Sequence, residues 1–133
     1  RERVFTGDSL FNGGCGLVFD SLSDMAQSLA RLAGLPEQTK VYCGHEYTLA
    51  NLRFAMAVDP DNAALQARYS AEQTKRDRGL PTVPSTIALE KTTNPFLRLL
   101  EPDIVKAIHA HTGLAVSTAS ASFEALRNWK NTF

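Results

Sequence analysis

Two short apolar runs, each ending in a glycine and then a metal-capable side chain, constrain this chain more than anything else in it. Arg3 to Thr6 leads into Gly7-Asp8, and Thr39 to Cys43 leads into Gly44-His45. Both runs have strand length and β-branched or aromatic content. Between them, Ser21-Leu22-Ser23-Asp24 offers an N-cap to a segment with Met25, Leu29 and Leu32 at helical spacing, ended by Gly34 and Pro36. A further helix is predicted from about Thr48 to Val58. Strand, helix, strand, helix in that order implies parallel strands, and a parallel sheet gathers its functional groups at the carboxyl ends of its strands. Asp8 and His45 sit at those ends. Gly7 to Gly16 reads as a glycine-rich loop whose backbone can approach a ligand or metal closely.

The character of the sequence changes after Asp59-Pro60-Asp61. Asp61 can cap a long helix carrying Ala64, Leu65, Ala67, Tyr69 and Ala71 that stops near Gly79. Pro81-Thr82-Val83-Pro84-Ser85-Thr86 cannot be helical through its prolines and predicts an extended connection into Ile87 to Lys91. Asn94 to Arg98 starts a short turn or helix, and two helices follow, around Pro102 to His109 and Ser120 to Lys130. No further strong strand pair is expected. Residues 1–60 therefore read as an αβ layer and 61–133 as a mainly helical appendage.

Lys and Arg number 14, as do Asp and Glu, so the net charge is zero and no general field favours nucleic acid or an anionic membrane. Anion recognition must come from a few placed cations. No apolar run approaches the roughly 18 residues of a membrane span, and no signal-peptide pattern opens the chain, so a cytoplasmic protein is expected. Cys15 and Cys43 each lie in a glycine-flanked motif without C-x-x-C spacing, and both are expected to be reduced thiols. The chain begins at Arg1 with a strand almost at once, which leads us to expect a preceding portion.

A carboxylate can bridge two cations because each of its oxygens can ligate one of them. Taken singly, Asp8 also suits a turn and His45 a satisfied loop or core position. Taken in order, Gly7-Asp8-Ser9-Leu10-Phe11, Gly13-Gly14-Cys15-Gly16 and Gly44-His45-Glu46-Tyr47 resemble glyoxalase II, the hydroxyacylglutathione hydrolase branch of the metallo-β-lactamase superfamily. The resemblance runs from Val4 to Phe133. It implies the C-terminal half of a metallo-β-lactamase αββα sandwich, followed by the mainly helical glyoxalase II C-terminal domain. It also implies that Asp8 bridges two divalent metal ions, zinc foremost and iron or manganese as alternatives, while His45 completes the second site. The family's upstream Thr-His-x-His-x-Asp-His motif is not found here. His109 and His111 are the other histidines, and they fall near a predicted helix end, where they suit the helix dipole or solvent.

The activity so implied is hydrolysis of S-(2-hydroxyacyl)glutathione thioesters such as S-lactoylglutathione, within methylglyoxal detoxification, by water activated on the two metals. A thioester suits such a centre because a thiolate, with a conjugate-acid pKa of about 8.5, leaves without a strong general acid. Arg127 and Lys130, at i and i+3 on the last predicted helix, match the family's Arg-x-x-Lys contact to the glutathione glycine carboxylate, although the pattern alone also describes a solvated basic face. Tyr47 matches the tyrosine that hydrogen-bonds the tripeptide, and Phe19 keeps the family's aromatic. Leu17 stands where the family usually has Lys or Arg; losing a charge-assisted bond of roughly 1.5–3 kcal/mol would weaken glutathione binding tenfold or more. Two other readings accompany this one: a noncatalytic remnant that binds a glutathione-like anion or a partner chain, and a persulfide dioxygenase-like member of the same fold. Glu46-Tyr47 argues against the second, since those dioxygenases tend to carry Asp-Tyr. Phe96, after Asn94-Pro95, is expected to be an apolar anchor, and Trp129 to pack between helices.

Overall fold

A computed structural model describes residues 3–7, 9–16 and 22–133. Strand β1 (Arg3–Gly7) pairs in parallel with a strand at Lys40–Cys43, in the register Arg3↔Lys40, Val4↔Val41 and Phe5↔Tyr42. An irregularity between Phe5 and Gly7 then sets Gly7 opposite Cys43. The expected glycine-rich loop is more ordered than an irregular loop. Leu10–Phe11 (β2) and Gly14–Cys15 (β3) form an antiparallel hairpin, Leu10↔Cys15 and Phe11↔Gly14, so the strand at Lys40–Cys43 becomes β4. Gly13 turns this hairpin at φ +76°, and a Cβ there would lie 2.7 Å from Leu52 Cδ2. Only glycine satisfies both demands.

Helix α1 (Leu22–Ala33) connects the parallel strands and buries Ala26 and Leu29, and the Gly34 N–H closes it on the Ala30 carbonyl. Helix α2 (Thr48–Val58) follows β4 and buries Leu52, Phe54, Ala55 and Val58. Helix α3 (Ala63–Asp77) begins one residue later than the sequence suggests: Asn62, not Asp61, is its N-cap, and the Asn62 side chain accepts from the Leu65 N–H at 3.1 Å. The proline-bounded connection does more than span a gap. Ser85–Thr86 (β5) adds to β4 antiparallel, giving the sheet order β1-β4-β5, and Thr86 then caps α4 (Ile87–Thr93). A 3-10 turn at Pro95–Leu97 and helices α5 (Pro102–Thr112) and α6 (Ala119–Asn131) complete a mixed α/β structure with six α-helices among the described residues. Gly113, at φ +78°, ends α5.

One apolar cluster draws on both parts of the sequence. Leu10, Leu29, Val41 and Phe54 pack with Phe96, Ile104, Ile108, Phe123 and Leu126. Phe96, 1% exposed, lies between Phe54 and Phe123, with ring centroids 6.1 and 5.7 Å away, and so is the expected anchor. Trp129 packs edge-on against Phe54 and stacks at 4.0 Å on His111, which stands with His109 in the last turn of α5. No helix among the described residues is long and apolar enough to cross a membrane.

Candidate metal and substrate site

The two candidate strand ends lie side by side. The Gly44 N–H donates to the Gly7 carbonyl at 2.7 Å, which continues the β1–β4 pairing to the residues immediately before positions 8 and 45. Asp8 itself lies outside the described residues, as do Leu17 and Phe19. His45 is exposed at the end of β4. Its ring stacks on Tyr47, with centroids 5.0 Å apart and planes at 11°, and Phe11 of the hairpin closes the cluster at 5.9 Å from His45 and 5.1 Å from Tyr47. The Cys43 thiol donates to the His45 carbonyl at 3.2 Å.

Among the described residues no three His, Cys, Asp or Glu side chains converge on a point that could hold a metal. His45 is a suitable neutral donor for zinc or iron, and Asp8 would bring the chain's donors to two, against the three or four protein ligands of zinc sites. The donor chemistry thus fits part of a metal site. Glu46 turns away from this role. Its carboxylate accepts from the Thr82 N–H at 3.1 Å, from the Thr82 hydroxyl, and from the Thr48 hydroxyl at 3.1 Å. Partial burial pushes its pKa upward, but the Thr82 and Thr48 hydrogen bonds and the Arg76 charge outweigh that and hold it below the usual glutamate value. Glu46 therefore ties the His45 turn to the proline-bounded connection.

The two candidate cations on α6 have different surroundings. Lys130 is half-buried, and its Nζ donates to Asn51 Oδ1 at 2.8 Å. The Asn51 N–H in turn donates to the Tyr47 carbonyl at 3.0 Å, so Lys130 meets the first turn of α2, which starts directly after Tyr47. Burial lowers the Lys130 pKa and the nearby Arg127 charge lowers it further, while Cys15 acts in the opposite sense. Arg127 is only 6% exposed, and its Nε donates to the Gly16 carbonyl at 3.1 Å. Cys15 lies beside both cations, yet burial pushes its thiol up to about 12 against their pull. The structure thus gathers His45, Tyr47 and Phe11 at one point, links Lys130 to Tyr47 through Asn51, and sets Arg127 beneath the end of the hairpin.

Asn51 escaped the sequence reading, and so did a buried polar group under the hairpin. Asn51 packs where a Cβ on Gly14 would come within 2.7 Å of its Cγ, and its Nδ2 donates to the Asn12 carbonyl at 3.3 Å. Glu90, with no exposed surface, pairs with Arg68 at 2.7 Å and accepts from the Gly13 N–H at 3.0 Å. The available signal was the i,i+4 spacing of the polar pairs Arg68/Glu72 and Glu90/Asn94.

Comparison with known proteins bears on residues 46–133, which match the family model described as "Hydroxyacylglutathione hydrolase C-terminus". That span includes Tyr47, Arg127 and Lys130 and begins one residue after His45. Proteins named hydroxyacylglutathione hydrolase are similar to the whole chain: 46% identical in Nitrosomonas europaea, over all of this chain and 51% of the relative. The Ectopseudomonas mendocina protein is 51% identical over all of this chain and 52% of its own length, and that of Pseudomonas aeruginosa strain LESB58 is 50% identical over 98% of this chain and 51% of its own. The chain spans about half the length of the curated relatives it matches.

Proposed function

The chain belongs to the hydroxyacylglutathione hydrolase C-terminus family, and from that premise we propose that it supplies metal donors and the glutathione-recognising surface of a thioesterase acting on S-(2-hydroxyacyl)glutathione, S-lactoylglutathione among them. In this reading residues 1–60 are half of a metallo-β-lactamase sandwich, and the remaining donors and the rest of the sheet come from sequence outside the 133 residues. The observation that carries the proposal is the linkage of His45, Tyr47 and Lys130: a metal donor stacked on an exposed phenol, with a cation held one helical turn away through Asn51.

Two divalent cations, zinc foremost, would be held by Asp8 and His45 together with donors from outside this chain, and when bound they supply Lewis-acid activation of water and of the thioester carbonyl. The chain's own residues do the rest. Tyr47, 51% exposed, offers a hydroxyl to the tripeptide and an aromatic face that keeps His45 in orientation. Lys130 offers a cation to a glutathione carboxylate, and its burial makes a carboxylate partner more valuable than solvent would be. Every relative named above is a hydroxyacylglutathione hydrolase, which favours the thioesterase over a persulfide dioxygenase or a noncatalytic remnant.

The test uses the full-length protein that contains this chain, assayed on S-lactoylglutathione and on a short thioester without the tripeptide. Lys130→Ala should raise KM for the glutathione thioester about tenfold, the value of one charge-assisted bond, and leave the short substrate unchanged. Equal effects on the two substrates would remove Lys130 from glutathione recognition.

A further inference from the structure

The hairpin that follows Asp8 is held by a charge no solvent reaches. Glu90 Oε1 accepts from the Gly13 N–H and from Asn94 Nδ2, each at 3.0 Å, and Oε2 accepts from the Ser85 hydroxyl at 2.5 Å and pairs with Arg68 at 2.7 Å. Asn94 Nδ2 also reaches the Gly14 carbonyl at 3.1 Å and the Phe11 carbonyl at 3.4 Å. Backbone groups at 11, 13 and 14 are therefore all fixed from α4 and its cap. The hairpin passes that constraint to its base, where the Gly16 N–H donates to the Ser9 carbonyl at 3.2 Å and the Ser9 N–H to the Thr6 carbonyl at 3.0 Å. Thr6 Oγ1 also donates to the Leu10 carbonyl, at 2.6 Å. Ser9 is the residue next to Asp8.

Stability alone is a poor reason for this arrangement. A buried ion pair incurs a desolvation cost that its attraction often only balances, and well-packed apolar residues of similar volume commonly do as well or better. Leu10 and Cys15 already seat the hairpin in the apolar core. Apolar contact is non-directional, however, whereas four donors on one carboxylate fix backbone orientation. We infer that Glu90, with Arg68 and Asn94, is a positioning residue for the hairpin that follows the candidate metal-bridging Asp8 in sequence, so that the mainly helical region supports the metal site as well as contacting substrate. This inference rests on the proposed metal role of Asp8.

Glu90→Gln keeps the shape of the side chain but turns an NH2 group toward one of the two donor pairs, disturbing the hairpin with little loss of volume. In the full-length protein, zinc affinity measured by chelator competition should fall at least tenfold, in the range typical when a supporting partner of a metal ligand is lost. For S-lactoylglutathione, kcat should fall while KM stays within about twofold. Ile104→Val, in the core on α5 and without polar contact to the hairpin, is the comparison for lost stability and should leave zinc affinity unchanged. If Glu90→Gln does not fold, Ser85→Ala, which deletes the hydroxyl that donates to Glu90 and accepts from Arg68 Nη2 at 3.2 Å, is titrated instead, with a threefold or greater weakening expected. Asp8→Ala separates the two levels of the argument: wild-type zinc binding in Asp8→Ala would refute the metal role itself. Zinc lost in Asp8→Ala but retained in folded Glu90→Gln, or in Ser85→Ala where that variant stands in, would overturn only the positioning role.

Discussion

Arg127 and Lys130 stand three residues apart on one helix, and their environments predict opposite phenotypes. Arg127→Ala removes a bond from a charged donor to the Gly16 carbonyl, worth roughly 1.5–3 kcal/mol. It also removes two buried methylenes at roughly 0.8 kcal/mol each. Relief of a buried charge offsets part of this, leaving a net loss of roughly 2–4 kcal/mol. For a chain of this size that corresponds to a fall in Tm of about 10 °C. Lys130 is half-buried on a neutral acceptor and its charge is already disfavoured by burial, so Lys130→Ala should cost no more than about 1 kcal/mol. The assay is thermal unfolding of both variants by circular dichroism, paired with KM for S-lactoylglutathione. Arg127→Ala should melt early and Lys130→Ala should bind poorly. An Arg127→Ala protein that melts within 2 °C of wild type and loses only substrate affinity would refute the assignment of Arg127 to the hairpin.

Thiol chemistry provides a second check: with its pKa near 12, buried Cys15 should resist iodoacetamide in the native protein at pH 8 while partly exposed Cys43 reacts, and labelling of both thiols at similar rates would contradict the packing of the hairpin. Glu46, whose folded pKa lies below its ordinary 4.5, contributes stability that is present above that value and lost as pH falls through the folded one. Thr82→Val removes a hydroxyl donor from that carboxylate and should move the acid-unfolding midpoint upward; an unchanged midpoint would show the bond to be inconsequential. The 133-residue chain by itself should associate, because among the described residues β1 pairs only with β4 and Phe5 is 76% exposed; a monodisperse monomer by light scattering would contradict this.

The elements with a strong local signal were legible in the sequence. The parallel strands, expected at 3–6 and 39–43 and found at 3–7 and 40–43, follow from their short apolar runs, and the helix at 22–33 from periodicity and its capping residues; the helices at 48–58 and 102–112 and the buried anchor Phe96 fall close to where the sequence put them. The hairpin at 10–15 was not, because two-residue strands leave no alternation to read and the glycines that make the turn look like loop composition. Ser85–Thr86 was hidden for a related reason: β4 determines its pairing, not its own sequence. The cap at α3 moved from Asp61 to Asn62 because only the structure shows which of two adjacent capping residues points at the Leu65 N–H. At the site, residue types suggested His45, Tyr47 and Lys130, whereas the tie between Tyr47 and Lys130 runs through Asn51, and spacing gives no hint of a contact between positions 51 and 130. Glu90 was missed because a glutamate in a short helix reads as exposed until its four donors are seen.

Whether His45 holds a catalytic metal is decided by turnover of S-lactoylglutathione in the metal-loaded full-length protein, compared between wild type and His45→Ala. Wild type should hydrolyse the thioester, and kcat/KM in His45→Ala should fall by more than about 100-fold, beyond the roughly 10–100-fold that losing a supporting partner of a ligand produces. A His45→Ala enzyme with wild-type turnover, or a wild-type protein inert toward the thioester with its metals bound, would contradict the account.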